Sequence, residues 1–175
     1  APVVLVSAGV GVTPVLSMLH QLAEQRSKRE VWWLHGARDA AEHSFAQESS
    51  ELLDRLPNAH RLVAYSGPTS SDRPGADHTA VGRLSTDLLR TLSLPPHAEA
   101  YVCGPASFMT AVSLALTECG LDAARIHTET FGAGAALAPG VVATTAVDPH
   151  PPSGEPGTGP RVSFARSGVS APWGT

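Results

Sequence analysis

The chain has 175 residues, with 12 Lys and Arg against 16 Asp and Glu for a formal net charge of -4. That length holds one sizeable α/β domain with a tail but hardly two complete domains, and the slightly acidic balance disfavours nucleic acid or an anionic membrane surface as a partner. The two cysteines, Cys103 and Cys119, lack C-x-x-C spacing, so neither a disulfide framework nor a metal site is expected, and a reducing cytoplasm fits best.

The first predicted element is the apolar run Val3–Ser7, a buried parallel strand by composition, which leads into Ala8-Gly9-Val10-Gly11-Val12-Thr13-Pro14. Val15, Leu16, Leu19, Leu22 and Ala23 then recur at helical spacing. Further strands are predicted at Glu30–His35, His60–Tyr65, Ala100–Cys103 and Arg125–Thr130. Phe45, Ser49, Leu52, Leu53 and Leu56 mark a second helix, and Phe108, Met109, Val112 and Leu116 another. Between them, Gly67–Gly82 reads as a long surface loop, followed by a short helix carrying Leu84, Leu88, Leu89 and Leu92. Strands alternating with helices predict a doubly wound, five-stranded parallel sheet of the Rossmann-like kind, with helices on both faces and strand order 3-2-1-4-5. Residues 133–160 are rich in Gly, Ala, Pro and Thr and are expected to form a flexible linker. The uncharged stretch Phe131–Val147 is interrupted by Pro139-Gly140 and is not expected to span a membrane. Arg161–Gly168 alternates apolar and polar residues like the first strand of a second domain, and no partner strand is expected before Thr175.

The turn after the first strand carries chemistry. Gly9 and Gly11 allow close approach of the backbone to a ligand, Thr13 is placed to cap the following helix, and Pro14 suits its first position. Amides at a helix N-terminus attract an anion, so this is a phosphate-binding turn. It departs from G-x-G-x-x-G, since Pro14 replaces the third glycine, and the second strand ends in Leu34-His35-Gly36-Ala37-Arg38 without the acidic residue that would hold a ribose. Tyr101-Val102-Cys103-Gly104-Pro105 repeats the strand, glycine turn and proline-started helix. On its own, Cys103 reads better as a small buried hydrophobe than as a residue touching a ligand. His20, His43, His60, His78, His97 and His127 show no ligand spacing and are expected at the surface or at caps. Ser7 lacks a G-x-S-x-G elbow, which argues against serine hydrolysis.

In this order and separation the motifs resemble the pyridine-nucleotide domain of the ferredoxin NADP reductase superfamily over residues 2–132. The resemblance implies that Gly9, Val10, Gly11, Thr13 and Pro14 cradle the pyrophosphate of NAD(P)H. It also implies that Cys103, Gly104 and Pro105, with Phe108 and Met109 following, lie near the nicotinamide. Glu129-Thr130-Phe131-Gly132 is similar to the family's closing acidic-x-aromatic segment that faces the flavin, which gives Cys103, Glu129 and Phe131 the catalytic positions. Arg38 and Ser66 follow the second and third strands, where family members contact the adenosine ribose or its 2′-phosphate. Gly67 stands where NADP-dependent members carry arginine, and Arg38 reads equally as a loop residue paired with Asp39, so NADH and NADPH both stay open.

The tail followed by Val162-Ser163-Phe164-Ala165-Arg166-Ser167-Gly168 resembles the linker and first strand of a plant-type [2Fe-2S] ferredoxin domain, as in the phthalate dioxygenase reductase type. That resemblance implies residues 1–132 as nucleotide domain, 133–160 as linker and 161–175 as the truncated start of a ferredoxin-like domain. It further implies an FAD or FMN domain upstream in the same polypeptide, and an oxygenase or another terminal acceptor for the electrons. No C-x₄-C-x₂-C set lies within the chain, so it carries no cluster itself. The implied reaction passes hydride from NAD(P)H to the flavin. Two other classes stay in view: a nonenzymatic nucleotide-sensing module, and a freestanding dehydrogenase, which would need an acid or base beside the nicotinamide.

Overall fold

The computed structural model describes residues 1–129, 158–159, 161–164 and 169–172. The chain divides into two compact units, Ala1–Gly134 and Ala135–Thr175. In the first unit the strands are β1 (Val3–Ala8), β2 (Val31–Ala37), β3 (Ala59–Tyr65), β4 (Ala80–Val81), β5 (Glu99–Cys103) and β6 (Ile126–Glu129). The helices are α1 (Val12–Glu24), α2 (Ala46–Leu53), α3 (Thr86–Arg90) and α4 (Ala106–Glu118).

All six strands run parallel in the order β4-β3-β2-β1-β5-β6. The five strands expected from the sequence are all present and keep their expected relative order. The expectation of five strands is corrected by β4, which forms inside the stretch read as loop. Its two residues pair Ala64 with Ala80 and Tyr65 with Val81, too short a run to show period-two alternation. A side-chain acceptor also holds this stretch, since the Thr79 hydroxyl accepts from the Val63 amide at 3.0 Å.

Alternation along the strands sends side chains to two cores. Val4, Val6, Leu34, Leu62, Ala64 and Val102 pack with Leu89 of α3 and with Met109, Val112 and Leu116 of α4. Val3, Leu5, Val31, Trp33 and Cys103 pack with Leu16 and Leu19 of α1 and with Leu52 and Leu53 of α2. Helices therefore cover both faces of the sheet, as two-sided apolar strands require. The apolar residues of the helical stripes read from the sequence pack into the two cores, most of them buried and Leu88, Leu92 and Phe108 partly buried, and only Phe45 falls outside. Phe45 stands just before α2 with φ +59 and is 45% exposed; the helix starts after it, so its ring falls outside the apolar stripe.

In the second unit, β7 (Arg161–Phe164) pairs antiparallel with β8 (Val169–Pro172). This corrects the expectation that no partner strand precedes Thr175, because β8, only four residues long, is too short a run to stand out in the sequence. The linker reading, Thr130 and Phe131 lie outside the described residues. No helix among the described residues is long and apolar enough to cross a membrane.

Two leucines of α4 calibrate the core. Leu116 is fully buried and Leu114 is 60% exposed. Leu116→Ala is expected to lower unfolding free energy by about 2–5 kcal/mol and Leu114→Ala by less than about 0.5 kcal/mol, as read from urea denaturation.

Candidate functional site

The carboxyl ends of parallel strands leave an open crevice where the chain turns toward opposite faces. Here that crevice has a volume of about 410 Å³ and is bordered by Ala8 and Gly9 after β1, Gly36–Arg38 after β2, Ser66 after β3, and Pro105 and Phe108 at the start of α4. A groove of about 390 Å³ near Leu56, Ala59 and His60 lies at the opposite, amino end of β3, away from both glycine turns.

The two glycine turns meet directly. Gly9 takes φ +54, and a Cβ added there would have no neighbour within 4 Å, so this glycine serves the left-handed turn and leaves open space above it. At Gly11, a Cβ would stand within 2.5 Å of the Cys103 carbonyl and the Gly104 amide. Its smallness therefore docks the β1 turn against the β5 turn, whereas the space above Gly9 stays open. Gly104 is equally confined, since an added Cβ would lie 2.7 Å from the Phe108 ring and 3.2 Å from the Ala8 carbonyl.

Gly11 is the N-cap of α1, and no side chain caps it. The expected capping by Thr13 is corrected: its hydroxyl donates backward to the Val10 carbonyl at 3.1 Å, because a short 3₁₀ turn over Gly9–Gly11 precedes the helix. Pro14 is the third helical residue instead of the first, still within the turn where a missing amide costs nothing. The Val12 amide at the head of α1 donates back to the Gly9 and Val10 carbonyls, and no side chain caps the amides that follow it.

At the other end of the crevice, Arg38 and Ser66 are brought together. The Ser66 and Gly67 amides donate to the carbonyls of Ala37 and Arg38 at 3.0 and 2.8 Å, and Gly67 lies against the Arg38 stem. The Asp39 carboxylate instead accepts from the amides of Ala41 and Glu42, and Arg38 has no ion-pair partner among the described residues. Among the crevice residues, Glu42 and Arg83 were not singled out by the sequence, and Leu84 was read only as part of an apolar helical stripe. The signal for Arg83 was present, in a glycine-arginine pair closing the long loop, with Gly82 at φ +112.

Cys103 is buried, its thiol donates to the Glu129 carbonyl at 3.2 Å, and burial raises its pKa. It does not border the crevice, and neither does Met109, which packs in the core. Val10 and the Glu129 side chain are exposed at the strand ends, and Phe131 lies outside the described residues.

The histidines divide into two groups. His20, His60 and His127 are surface residues paired with Glu48, Glu30 and Glu99. His43 and His78 are not the surface histidines the sequence suggested. His78 is 4% exposed and stacks on Tyr65 at 4.8 Å, and His43 stacks on the fully buried His35 at 4.7 Å. The ring stacking that buries His78 and half buries His43 comes from β2 and β3 together with two loops, so no local pattern announces it.

Residues 5–114 match the family described as the oxidoreductase NAD-binding domain. The chain belongs to that family. A flavohemoprotein of Deinococcus radiodurans is 40% identical over 138 residues, 79% of this chain and 34% of that protein. The flavohem-like FAD/NAD binding domain of nitric oxide dioxygenase from Vibrio cholerae superposes with a TM-score of 0.64 at 39% identity, covering 75% of this chain and 51% of that one. Flavohemoglobin from Malassezia yamatoensis, solved with bound FAD and heme, gives 0.65 at 35% identity over 75% of this chain and 32% of its own. The chain spans about a third of the length of the curated relatives it matches.

Two outcomes test this geometry. Gly11→Ala is expected to destabilise the fold by about 3 kcal/mol, because backbone must move to admit the methyl, whereas Gly9→Ala should cost only about 1–2 kcal/mol of left-handed strain; urea midpoints compare them. His35 is held far below the ordinary histidine range, at about 3, by burial and then by His43. A base whose folded pKa is depressed stabilises the fold fully above its unfolded value and loses that contribution as pH falls. Thermal unfolding should therefore occur at progressively lower temperature between about pH 6.5 and 4.5, where most carboxylates stay ionised, by scanning calorimetry.

Proposed function

We propose that this chain is the pyridine-nucleotide module of a flavin-dependent oxidoreductase, taking a hydride from NAD(P)H. The observation that carries this reading is the pair of docked glycine turns beside the crevice, with Gly9 open above and no side chain capping the head of α1. A pyrophosphate fits there, the adenosine end would lie between Arg38, Ser66 and Arg83, and the nicotinamide end toward Cys103-Gly104-Pro105. Arg38 and Arg83 are exposed on the crevice without ion-pair partners among the described residues, which suits a ligand rich in phosphate.

When bound, the nicotinamide supplies the hydride and the flavin accepts it. The chain's own part is placement and the exclusion of water. Phe108 and Leu84 supply the apolar wall, and Pro105 borders it. The neutral Cys103 thiol, tied to the Glu129 backbone, fixes the β5 and β6 ends beside each other. Glu129 and Phe131 would flank the flavin contact.

The flavin domain we place in the same polypeptide, as in the FAD/NAD binding domain from Vibrio cholerae. Residues 1–132 then form the nucleotide domain, 133–160 a linker and 161–175 the start of a further domain. For the one-electron centre we favour a [2Fe-2S] ferredoxin domain, supported by the hairpin of β7 and β8, which lies beyond the family match. A heme partner is the second reading, favoured by the flavohemoprotein relatives. Absorption and paramagnetic resonance spectra of the intact polypeptide separate a heme Soret band from an iron-sulfur signal.

Calorimetric titration of the chain with NADH and NADPH is expected to show saturable one-site binding, and absence of heat with both would defeat the reading. In the flavin-loaded enzyme, Cys103→Ala should slow flavin reduction by roughly tenfold through lost placement while costing under about 1.5 kcal/mol of stability; an unchanged stopped-flow rate would remove Cys103 from the mechanism.

A further inference from the structure

Behind the crevice, on the α1 and α2 face of the sheet, lies a run of rings that the nucleotide reading does not use. Trp33 and His35 on β2, His43 on the loop before α2, Tyr65 at the end of β3 and His78 on the following loop stack or meet edge to face in succession. His35 Nδ1 lies 2.9 Å from the Ser7 hydroxyl, and His43 Nδ1 lies 2.9 Å from the Tyr65 hydroxyl. No group of three His, Cys, Asp or Glu among the described residues is placed to hold a metal ion, so the cluster is not a metal centre.

Its position gives it a consequence. Strand alternation places His35 next to Gly36, and Tyr65 between Ala64 and Ser66, and these neighbours border the crevice on the other side of the same backbone. His43 sits one residue beyond Glu42, another crevice residue. The loops carrying His43 and His78 are further joined by the Ala40 amide, which donates to the Asp72 carboxylate at 3.3 Å, and by the Gly67 amide on the Arg38 carbonyl.

We propose that His35, His43 and Tyr65 form an acid-sensitive latch that positions Arg38, Glu42 and Ser66 along the crevice, so that protonation of His43 weakens nucleotide binding without unfolding the chain. The inference rests on the nucleotide reading of that crevice. His43 is only half buried and is the ring through which a proton enters. Facing it are His35 from β2, Tyr65 and Arg61 from β3, and Asp77 from the long loop, while Asp39 and Asp72 face Tyr65. Burial and then Arg61 hold the His43 pKa below the ordinary histidine value, and Asp77 opposes them in part. The stacked arrangement therefore prefers the neutral ring, is at full strength above about pH 6.5, and weakens as the pH falls below it.

The test measures binding of ADP-ribose to the whole chain from about pH 8 to pH 5, since its pyrophosphate and adenine do not titrate across that range. Wild type should lose roughly tenfold in affinity over the range, within the limit of one linked proton, while far-UV circular dichroism stays unchanged. His43→Phe keeps a ring for stacking but cannot titrate; it should bind about fivefold more weakly at pH 8, the size of one lost hydrogen bond, and stay flat in acid. Tyr65→Phe should move the onset of the loss to higher pH. As a readout without ligand, the backbone amides of Arg38 and Glu42 should shift with the His43 titration in nuclear magnetic resonance spectra. Equal wild-type affinity across the range, an acid loss retained in His43→Phe, immobile amide signals or unfolding that coincides with the loss would each overturn the latch alone. No binding at any pH would overturn the nucleotide reading, and the latch with it.

Discussion

The contact on which this fold depends is backbone against backbone: Gly11 at the head of α1 pressed onto the Cys103 carbonyl and the Gly104 amide. No side chain of any size fits between them. Because β1 and β5 are hydrogen-bonded neighbours in register from Val3 with Glu99 to Ser7 with Cys103, this contact locks the two strand ends at one level. The turns that follow diverge to opposite faces, α1 to one and α4 to the other, and the space left between them is the crevice. A larger residue at position 11 would part the strand ends and enlarge that space without adding a ligand contact.

A second constraint is the sheet's two-sidedness. At the ends of β2 and β3 the crevice residues Gly36, Ala64 and Ser66 each have a chain neighbour on the opposite face that is a ring, His35 or Tyr65. Such rings are unusual in a core made otherwise mostly of Val, Leu and Ala. Three of them leave polar atoms without a protein partner, the Trp33 Nε1, the His35 Nε2 and the His78 Nδ1, a cost that an apolar substitute would avoid. Rings here give the loops a flat surface to rest on and a titratable member, which aliphatic packing could not provide.

Much of the fold was legible from the chain. The buried strands are nearly uninterrupted Val and Leu runs, the helices carry single apolar stripes, and the elements follow in strict alternation, so class, helix placement and strand order could be read locally. β4 could not, since two residues have no period. Phe45 was misread as part of a helical stripe because spacing does not reveal a positive φ. Of the site, the glycine turns and the Arg38 and Ser66 positions were readable as motifs, whereas Arg83 and Glu42 joined it only when distant loops converged. His78 and His43 looked like scattered surface residues because their burial is supplied by other elements.

The sequence by itself determined that this is an α/β nucleotide-binding module, because strand composition, helix stripes and turn residues are local properties set by sterics and periodicity. Tertiary structure alone decided what each glycine is for. Gly9 and Gly11 are indistinguishable in the motif, yet one faces open space and the other faces the backbone of a strand some ninety residues further along the chain. It also decided which histidines are buried. Both are questions of what lies across the sheet, and side-chain surroundings of that kind are produced by packing between elements far apart in the chain, which no local spacing encodes.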